Sequence, residues 1–440
     1  MQESITNSSE STHRMLLGEF IPSLVRALAA EGIKPCILRN YEGFPDKNVG
    51  NDVDFMIRPS DLPRAIRAVQ SIRGIRIVGY NEQFHVAMLF LEGISPTPNV
   101  RAFQVDFIRS FTFKGMPYLT PEAVLQTAVE RKSGDLEFFV PSPVHEGIIS
   151  LLTNLVVFGF VKEKYFPKVQ ETFLKHRSEV IAAMRPGFGQ KVATRLVDAA
   201  IEGNRGKLLG CIRPARIAMS LRNLGRKPFY SLFAIVRHYS IVLGVRHSRR
   251  TLETICVLGP DVSAKSATIE ALVPMLRYVA PELVVNSGDD SWAGASTGPV
   301  TSMVKIVALL VKDWRSQYAG RRNLTLRIRS DCFQDLLFNP QRNGYDGPIW
   351  FARLMGRFFP SPDLWILLEP VAGAVQFSNG ATSSLLNLKS MEACRAFVKT
   401  RKAHAILSAA QSTVDIAEGA YAAIIDALAQ RANKSIRRRL

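Results

Sequence analysis

Asp52 and Asp54 stand two residues apart behind Gly50-Asn51, and Asp106 sits in a second apolar stretch, Phe103-Gln104-Val105-Asp106-Phe107-Ile108. Side chains alternate between the faces of a strand, so an extended Asp52-Val53-Asp54-Phe55-Met56-Ile57 turns both carboxylates to one side and Val53 and Phe55 to the other. Pairing of the two strands would add Asp106 to the same small volume. Three neighbouring carboxylates repel one another unless a cation neutralises them. The natural cation is Mg2+, a hard ion that takes oxygen ligands and also bridges substrate phosphates. Such a site suits phosphoryl or nucleotidyl transfer, where a metal clamp stabilises the attacking and the leaving oxygen. Asp-x-Asp by itself is also what a pair of solvated acids at a strand start looks like. The preceding glycine and the third acid in a matching strand favour the metal site.

The segments Leu38-Arg39-Asn40-Tyr41-Glu42-Gly43-Phe44-Pro45, Gly50-Asn51-Asp52-Val53-Asp54 and Gln104-Val105-Asp106 resemble the uncharacterised bacterial nucleotidyltransferases of the polymerase-beta-like superfamily. The similarity runs over residues 16–165. It implies an α+β domain in which Asp52 and Asp54 bind Mg2+, Asp106 completes the site and helps to activate an acceptor hydroxyl, and ATP or another NTP is bound. It also places Gly50 and Asn51 against the triphosphate. The superfamily usually has Gly-Ser or Gly-Gly there; Asn51 can still donate to phosphate but is bulkier than serine. Arg39 is a further candidate for phosphate because a guanidinium suits bidentate contact, its alternative being a solvated surface arginine.

Positioning these groups requires a core, and 440 residues suffice for two or three domains. A hydrophobic fraction of 47% with 21% charged excludes a chiefly disordered chain. Residues 1–15 are polar and Ser-rich and read as a disordered tail without a secretory signal. Five scattered cysteines with no Cys-x-x-Cys point to free thiols in a reducing cytoplasm, with neither a disulfide framework nor a zinc site. The apolar run 147–161 is interrupted by Thr153-Asn154 and is short for a bilayer span of roughly 20 residues, so it reads as a buried helix.

Periodicity predicts helices over 16–31, 59–72 and 146–161 and a strand over 33–38. His145, next to two prolines, reads as a cap or packing residue. Residues 166–250 read as helical, with breaks at Pro186-Gly187 and Lys227-Pro228. Beyond them, strands predicted at 253–258, 283–286, 323–328, 363–368 and 404–407 alternate with helices at 266–278, 300–318, 349–358, 391–400 and 415–431. Such alternation describes a parallel sheet covered on both faces. The expected class is α/β in four parts: the tail 1–15, the nucleotidyltransferase-like α+β domain 16–165, a basic helical connector 166–250 and a parallel-sheet domain 251–440.

The formal charge is +18, and its distribution is uneven. Residues 203–252 contain no Asp or Glu, yet hold 11 Lys and Arg, among them Arg213, Arg226, Lys227 and Arg237, interleaved with Ile217, Leu221, Phe229 and Phe233. Basic amphipathic helices over 205–250 fit either a connector packed between two domains or contact with an anionic membrane surface. Nucleic acid ranks below both, since no recognised binding motif accompanies the charge.

A second candidate site opens the last domain. Gly259-Pro260-Asp261-Val262-Ser263-Ala264-Lys265-Ser266 has the frame of a phosphate-binding loop, G-x-x-x-x-G-K-[ST], between a predicted strand and helix, with Gly259, Lys265 and Ser266 as its phosphate and metal contacts. From 251 onward the chain resembles a thymidylate kinase domain, supported by Asp335-Leu336-Leu337, Asn339-Pro340, Tyr345-Asp346-Gly347-Pro348 and the strand beginning Pro362-Asp363. Three family features are altered. Val262 and Ala264 stand where glycines normally allow positive φ and close approach of the anion. The Asp-Arg-Tyr signature aligns with Ser330-Asp331-Cys332, and residues 371–388 carry no Lys or Arg where the family places lid cations. The expected protein is a Mg2+-dependent enzyme that moves NMP from an NTP to an acceptor, cytoplasmic or peripheral to the inner membrane, with a kinase-like C-terminal domain lacking kinase activity. Its alternatives are a nucleotide kinase of thymidylate kinase type that tolerates the altered loop, and a non-catalytic scaffold at a membrane or in a complex. Proteins of this two-domain type resemble those found among bacterial surface polysaccharide functions, an analogy of fold.

Overall fold

The computed structural model describes residues 15–45, 52–83, 85–95, 101–242, 254–259, 262–277, 279–280, 282–286, 298–323, 325–330, 333–338, 340, 345–370, 391–401 and 403–439. The architecture is mixed α/β, and both large sheets contain parallel strands. The N-terminal sheet comprises β1 (Cys36–Ile37), β2 (Asp52–Met56), β3 (Arg76–Glu82), β4 (Val86–Glu92) and β5 (Ala102–Ile108). After a hairpin of β6 (Phe111–Phe113) and β7 (Met116–Leu119), β8 (Val129–Ser133) and β9 (Leu136–Val140) complete it. The strand order is β8-β9-β1-β2-β5-β4-β3. In its centre β2 and β5 run parallel, each with an antiparallel neighbour on its other side.

Alternation along these strands gives the sheet two different faces. Val53, Phe55, Leu89, Leu91, Phe103, Val105 and Phe107 lie on one and pack against Phe20, Leu24 and Leu28 of α1 (Leu17–Ala30) and Ile66 and Val69 of α2 (Leu62–Gln70). The strand expected over 33–38 shortens to two residues because the chain turns away at Asn40, whose φ of 58° is a left-handed conformation that asparagine tolerates.

The opposite face is covered in two places. Cys36, Leu38 and Met56 share a core with a helical layer built from α3 (Pro143–Leu152), α4 (Phe166–Lys175), α5 (Arg177–Phe188), α6 (Gln190–Ile201), α7 (Arg205–Gly210) and α8 (Ile212–Arg226). His145 has the packing role expected of it: it is buried in the first turn of α3, where Ser142 caps the helix and the Nδ1 atom lies 2.8 Å from Thr127 Oγ1. Pro186 does not break the chain. It is held in the last turn of α5, and the interruption comes at Gly189, whose φ of 80° only glycine adopts freely. The second interruption falls where expected, between α8 and α9 (Pro228–Val242).

The remaining part of that face, Val78, Phe90 and Ala102, belongs to the core of the C-terminal domain. There β10 (Thr254–Leu258), β11 (Glu282–Asn286), β12 (Thr325–Arg329), β13 (Leu364–Glu369) and β14 (His404–Ser408) form an all-parallel sheet in the order β11-β12-β10-β13-β14. The helices α10 (Val262–Met275), α11 (Pro299–Asn323), α12 (Ile349–Gly356) and α13 (Thr413–Arg437) alternate with them, as expected. The thiols of Cys36, Cys211 and Cys394 are free. Cys256 departs from the expectation of free thiols: it lies fully buried in the central strand β10 and is disulfide-bonded.

The long helix α13 ties the two sheets together. Its Ile416, Ala420, Ile424 and Leu428 pack in the C-terminal core beside Val78 and Phe90, and one turn later Ala432 and Ile436 enter the N-terminal core. Ion pairs follow the same seam: Arg101 with Glu418, Arg76 with Asp426 and Arg439 with Glu82. No helix among the described residues is long and apolar enough to cross a membrane.

Candidate metal centre

The register of β2 on β5 sets Asp52 beside Gln104 and Asp54 beside Asp106, and β4 continues those rows with Phe90 and Met88. Partners in a parallel ladder share a face, so the three acids meet as their alternation predicts. One carboxylate oxygen from each of Asp52, Asp54 and Asp106 lies within 4.8 Å of the others. They occupy the sheet face that carries Met56, under the helical layer, and Phe90, under the C-terminal domain. The centre therefore sits where three lobes meet. Asp54 is only 4% exposed, whereas the Asp52 side chain keeps 34% and forms the open side.

Arg39 reaches this cluster because the backbone turns at Asn40, directly after it. Tyr41 then pins the turn, its hydroxyl donating to Glu146 Oε2 at 2.9 Å, and Glu146 in turn accepts from Lys168. The Arg39 guanidinium donates to Asp54 and stands 3.8 Å from Asp52. Burial works against its charge, but Asp54 and then Asp52 outweigh that effect and hold it charged more firmly than usual. The residue read as a phosphate contact is thus paired with the acids. On the third acid, the Gln104 amide donates to Asp106 Oδ1 at 2.8 Å and orients that carboxylate.

One guanidinium does not neutralise three carboxylates. Burial, followed by the charge of Asp54, pushes Asp106 up to about 7, and the Gln104 hydrogen bond only partly offsets this. Asp54 is also pushed up, chiefly by burial, with Arg39 opposing. A hard divalent cation fits this donor set, which offers only oxygen ligands and carries surplus negative charge. Between its ordinary value of 3.8 and about 7, Asp106 in the metal-free folded protein holds a proton that the unfolded chain has lost. Stability must then fall as pH rises through that window. Asp106→Asn removes the penalty. With EDTA present, urea unfolding at pH 8 should show the variant more stable by several kcal/mol, since each unit of the rise is worth about 1.4 kcal/mol, and the difference should vanish by pH 4.

Sequence reasoning missed Tyr165. Tyr165 is close enough to act on the Arg39 charge, and Lys162 and Lys164 lie over its ring at 5.2 and 5.5 Å. The signal for these residues was the Lys-x-Lys-Tyr run at 162–165. Gly50 and Asn51 lie outside the described residues.

The second candidate site belongs to the other sheet. Helix α10 begins at Val262, so residues 262–264 are helical rather than wrapped as a loop. Lys265 is buried, and its Nζ donates to the Ser330 carbonyl at 2.9 Å. Ser266 is exposed on the same helix. Gly259 is closely packed, since a Cβ there would come within 3.1 Å of the Leu368 carbonyl on the neighbouring strand. Arg329 pairs with Asp313 at 2.8 Å and Arg327 donates to the Ser316 carbonyl, so both guanidinium groups are turned to α11. Pro260, Asp261, Asp331, Cys332 and the expected lid over 371–388 lie outside the described residues.

Comparison with known proteins leaves this site to be read from its own chemistry. No protein-family model and no curated protein matches the chain.

Proposed function

We propose that the chain is a Mg2+-dependent nucleotidyltransferase that moves NMP from ATP or another NTP to an acceptor hydroxyl or phosphate. The observation that carries this reading is the convergence of Asp52, Asp54 and Asp106 within 4.8 Å on one sheet face, beside Arg39. Bound there, Mg2+ would supply charge stabilisation to the triphosphate and to the two oxygens exchanged at phosphorus. Asp52 and Asp54 would hold it, with Asp106 completing the set. Arg39, released from Asp54 when a metal takes up the carboxylate charge, would turn to the triphosphate.

In the transfer, the acceptor oxygen bonds to the α-phosphorus and the bond from that phosphorus to the oxygen bridging to the β-phosphate breaks. Pyrophosphate leaves, and where the acceptor is a hydroxyl its proton passes to Asp106, whose carboxylate Gln104 holds in place. The C-terminal domain fits a supporting role, since Lys265 is engaged with the Ser330 carbonyl and residues 262–264 are helical. It would position the acceptor or bind a partner. The test is incubation of the full chain with α-labelled and, in parallel, γ-labelled NTPs, Mg2+ and extracts of candidate acceptors. Transfer of the α label with release of pyrophosphate supports the reading. Transfer of γ label alone, lost in Lys265→Ala, would move the activity to the second sheet and refute it.

A further inference from the structure

We infer that α8 and α9 form a docking face for an anionic membrane surface, independent of any reaction at the acid cluster. Helix α9 is fixed to the N-terminal domain by its inner side. Ser231 and Ala234 are buried, and the tip of the β6–β7 hairpin, where Gly115 has φ of 80°, comes so close that a Cβ would stand 2.7 Å from the Ala234 carbonyl. That contact orients the other side outward. Phe229, Leu232, Phe233 and Val236, spaced i, i+3, i+4 and i+7, form one exposed stripe, with Phe229 at 88% exposure. On the adjoining α8, Ile217 and Leu221 are exposed at the same helical spacing. An apolar surface of this extent on a folded protein marks an interaction site.

The charge pattern selects the occupant. Residues 203–252 contain no acid, and Arg213, Arg226 and Lys227 are exposed around the stripes. Arg205 and Lys207 are paired with Glu163 and Glu202 and add nothing to the face. Apolar side chains ringed by uncompensated cations match the boundary between acyl chains and anionic headgroups, where the apolar face inserts and the basic residues meet phosphate. A second copy of the chain would have to bring the same cations together. Because no helix among the described residues spans a bilayer, the contact is interfacial.

The test is co-sedimentation of the full-length protein with vesicles of phosphatidylcholine alone or with 30% phosphatidylglycerol added, about 30% being an ordinary anionic content. Binding should be at least tenfold stronger to the anionic vesicles and weaken with salt. Each basic side chain at the surface contributes about fivefold, so Arg213→Gln with Lys227→Gln should lower binding to anionic vesicles by roughly 25-fold. Phe229→Ser, Leu232→Ser and Phe233→Ser together should abolish it, with the circular dichroism and the urea midpoint unchanged. Equal binding to both vesicle types, binding that survives the serine triple variant, or concentration-dependent dimerisation removed by that variant without any vesicle binding would each overturn the assignment.

Discussion

Asp52→Asn combined with Asp54→Asn should reduce the proposed NMP transfer by at least about 10³-fold, roughly 4 kcal/mol of transition-state stabilisation, while leaving the fold intact. The expectation rests on position. Asp54 is buried in the middle of β2, bonded to Arg39 and facing Asp106 across the ladder, so no neighbouring carboxylate can take its place. Asparagine keeps the volume of each side chain but removes the negative charge that a hard cation requires. Pyrophosphate release with α-labelled NTP measures the loss, and urea unfolding checks the fold. In the metal-free state the variant should be at least as stable as the parent, because two mutually repelling acids have been removed. A transfer rate within tenfold of the parent would mean that the chemistry lies elsewhere.

The largest effect on stability should come from Glu82→Ala. The Glu82 carboxylate, whose side chain is 2% exposed, accepts from Arg109 at 2.9 Å, from the Tyr80 hydroxyl at 2.9 Å and from Arg439 at 2.8 Å. Arg109 is itself buried, so removing its partner leaves a desolvated charge uncompensated, at a cost of about 3–5 kcal/mol. Arg439 follows α13, and the same substitution therefore loosens the seam between the sheets. Burial alone would push the Glu82 carboxyl up, but Arg109, the Tyr80 hydroxyl and Arg439 outweigh it and hold it below the ordinary value of 4.5. Its stabilisation is thus fully present above 4.5 and is lost as pH falls through the lower folded value. Urea unfolding at pH 7 and again near pH 3 should show a large difference between parent and variant that shrinks on acidification. Equal losses at both pH values would point to packing instead of charge.

How much of this was legible in the sequence differs from element to element. Asp52 and Asp54 announced a common face by their spacing, and the parallel register that delivers Asp106 needed only two apolar runs with an acid at matching positions. The five C-terminal strands were readable because buried parallel strands are nearly unbroken apolar runs between helical patterns, as in Ile255-Cys256-Val257-Leu258. By contrast β3 and β4 went unrecognised. Val86-Ala87-Met88-Leu89-Phe90-Leu91 is apolar on both faces, since the sheet is covered on each side, and periodicity cannot separate such a run from a buried helix. Residues 166–250 read as a helical connector, yet the helices of residues 166–226 share a core with Cys36, Leu38 and Met56, a long-range fact no local pattern contains. The same holds for the Arg39 pairing with Asp54, which depends on a turn at Asn40.

Anomalous scattering from crystals soaked in Mn2+ would test the central claim most directly. A convergent oxygen site for a divalent ion predicts a peak bounded by Asp52, Asp54 and Asp106, with Arg39 displaced from Asp54 and the peak absent from Asp52→Asn, Asp54→Asn crystals. A map with no peak there, at Mn2+ concentrations that saturate ordinary nucleotidyl-transfer sites, and with Arg39 still paired to Asp54, would contradict it.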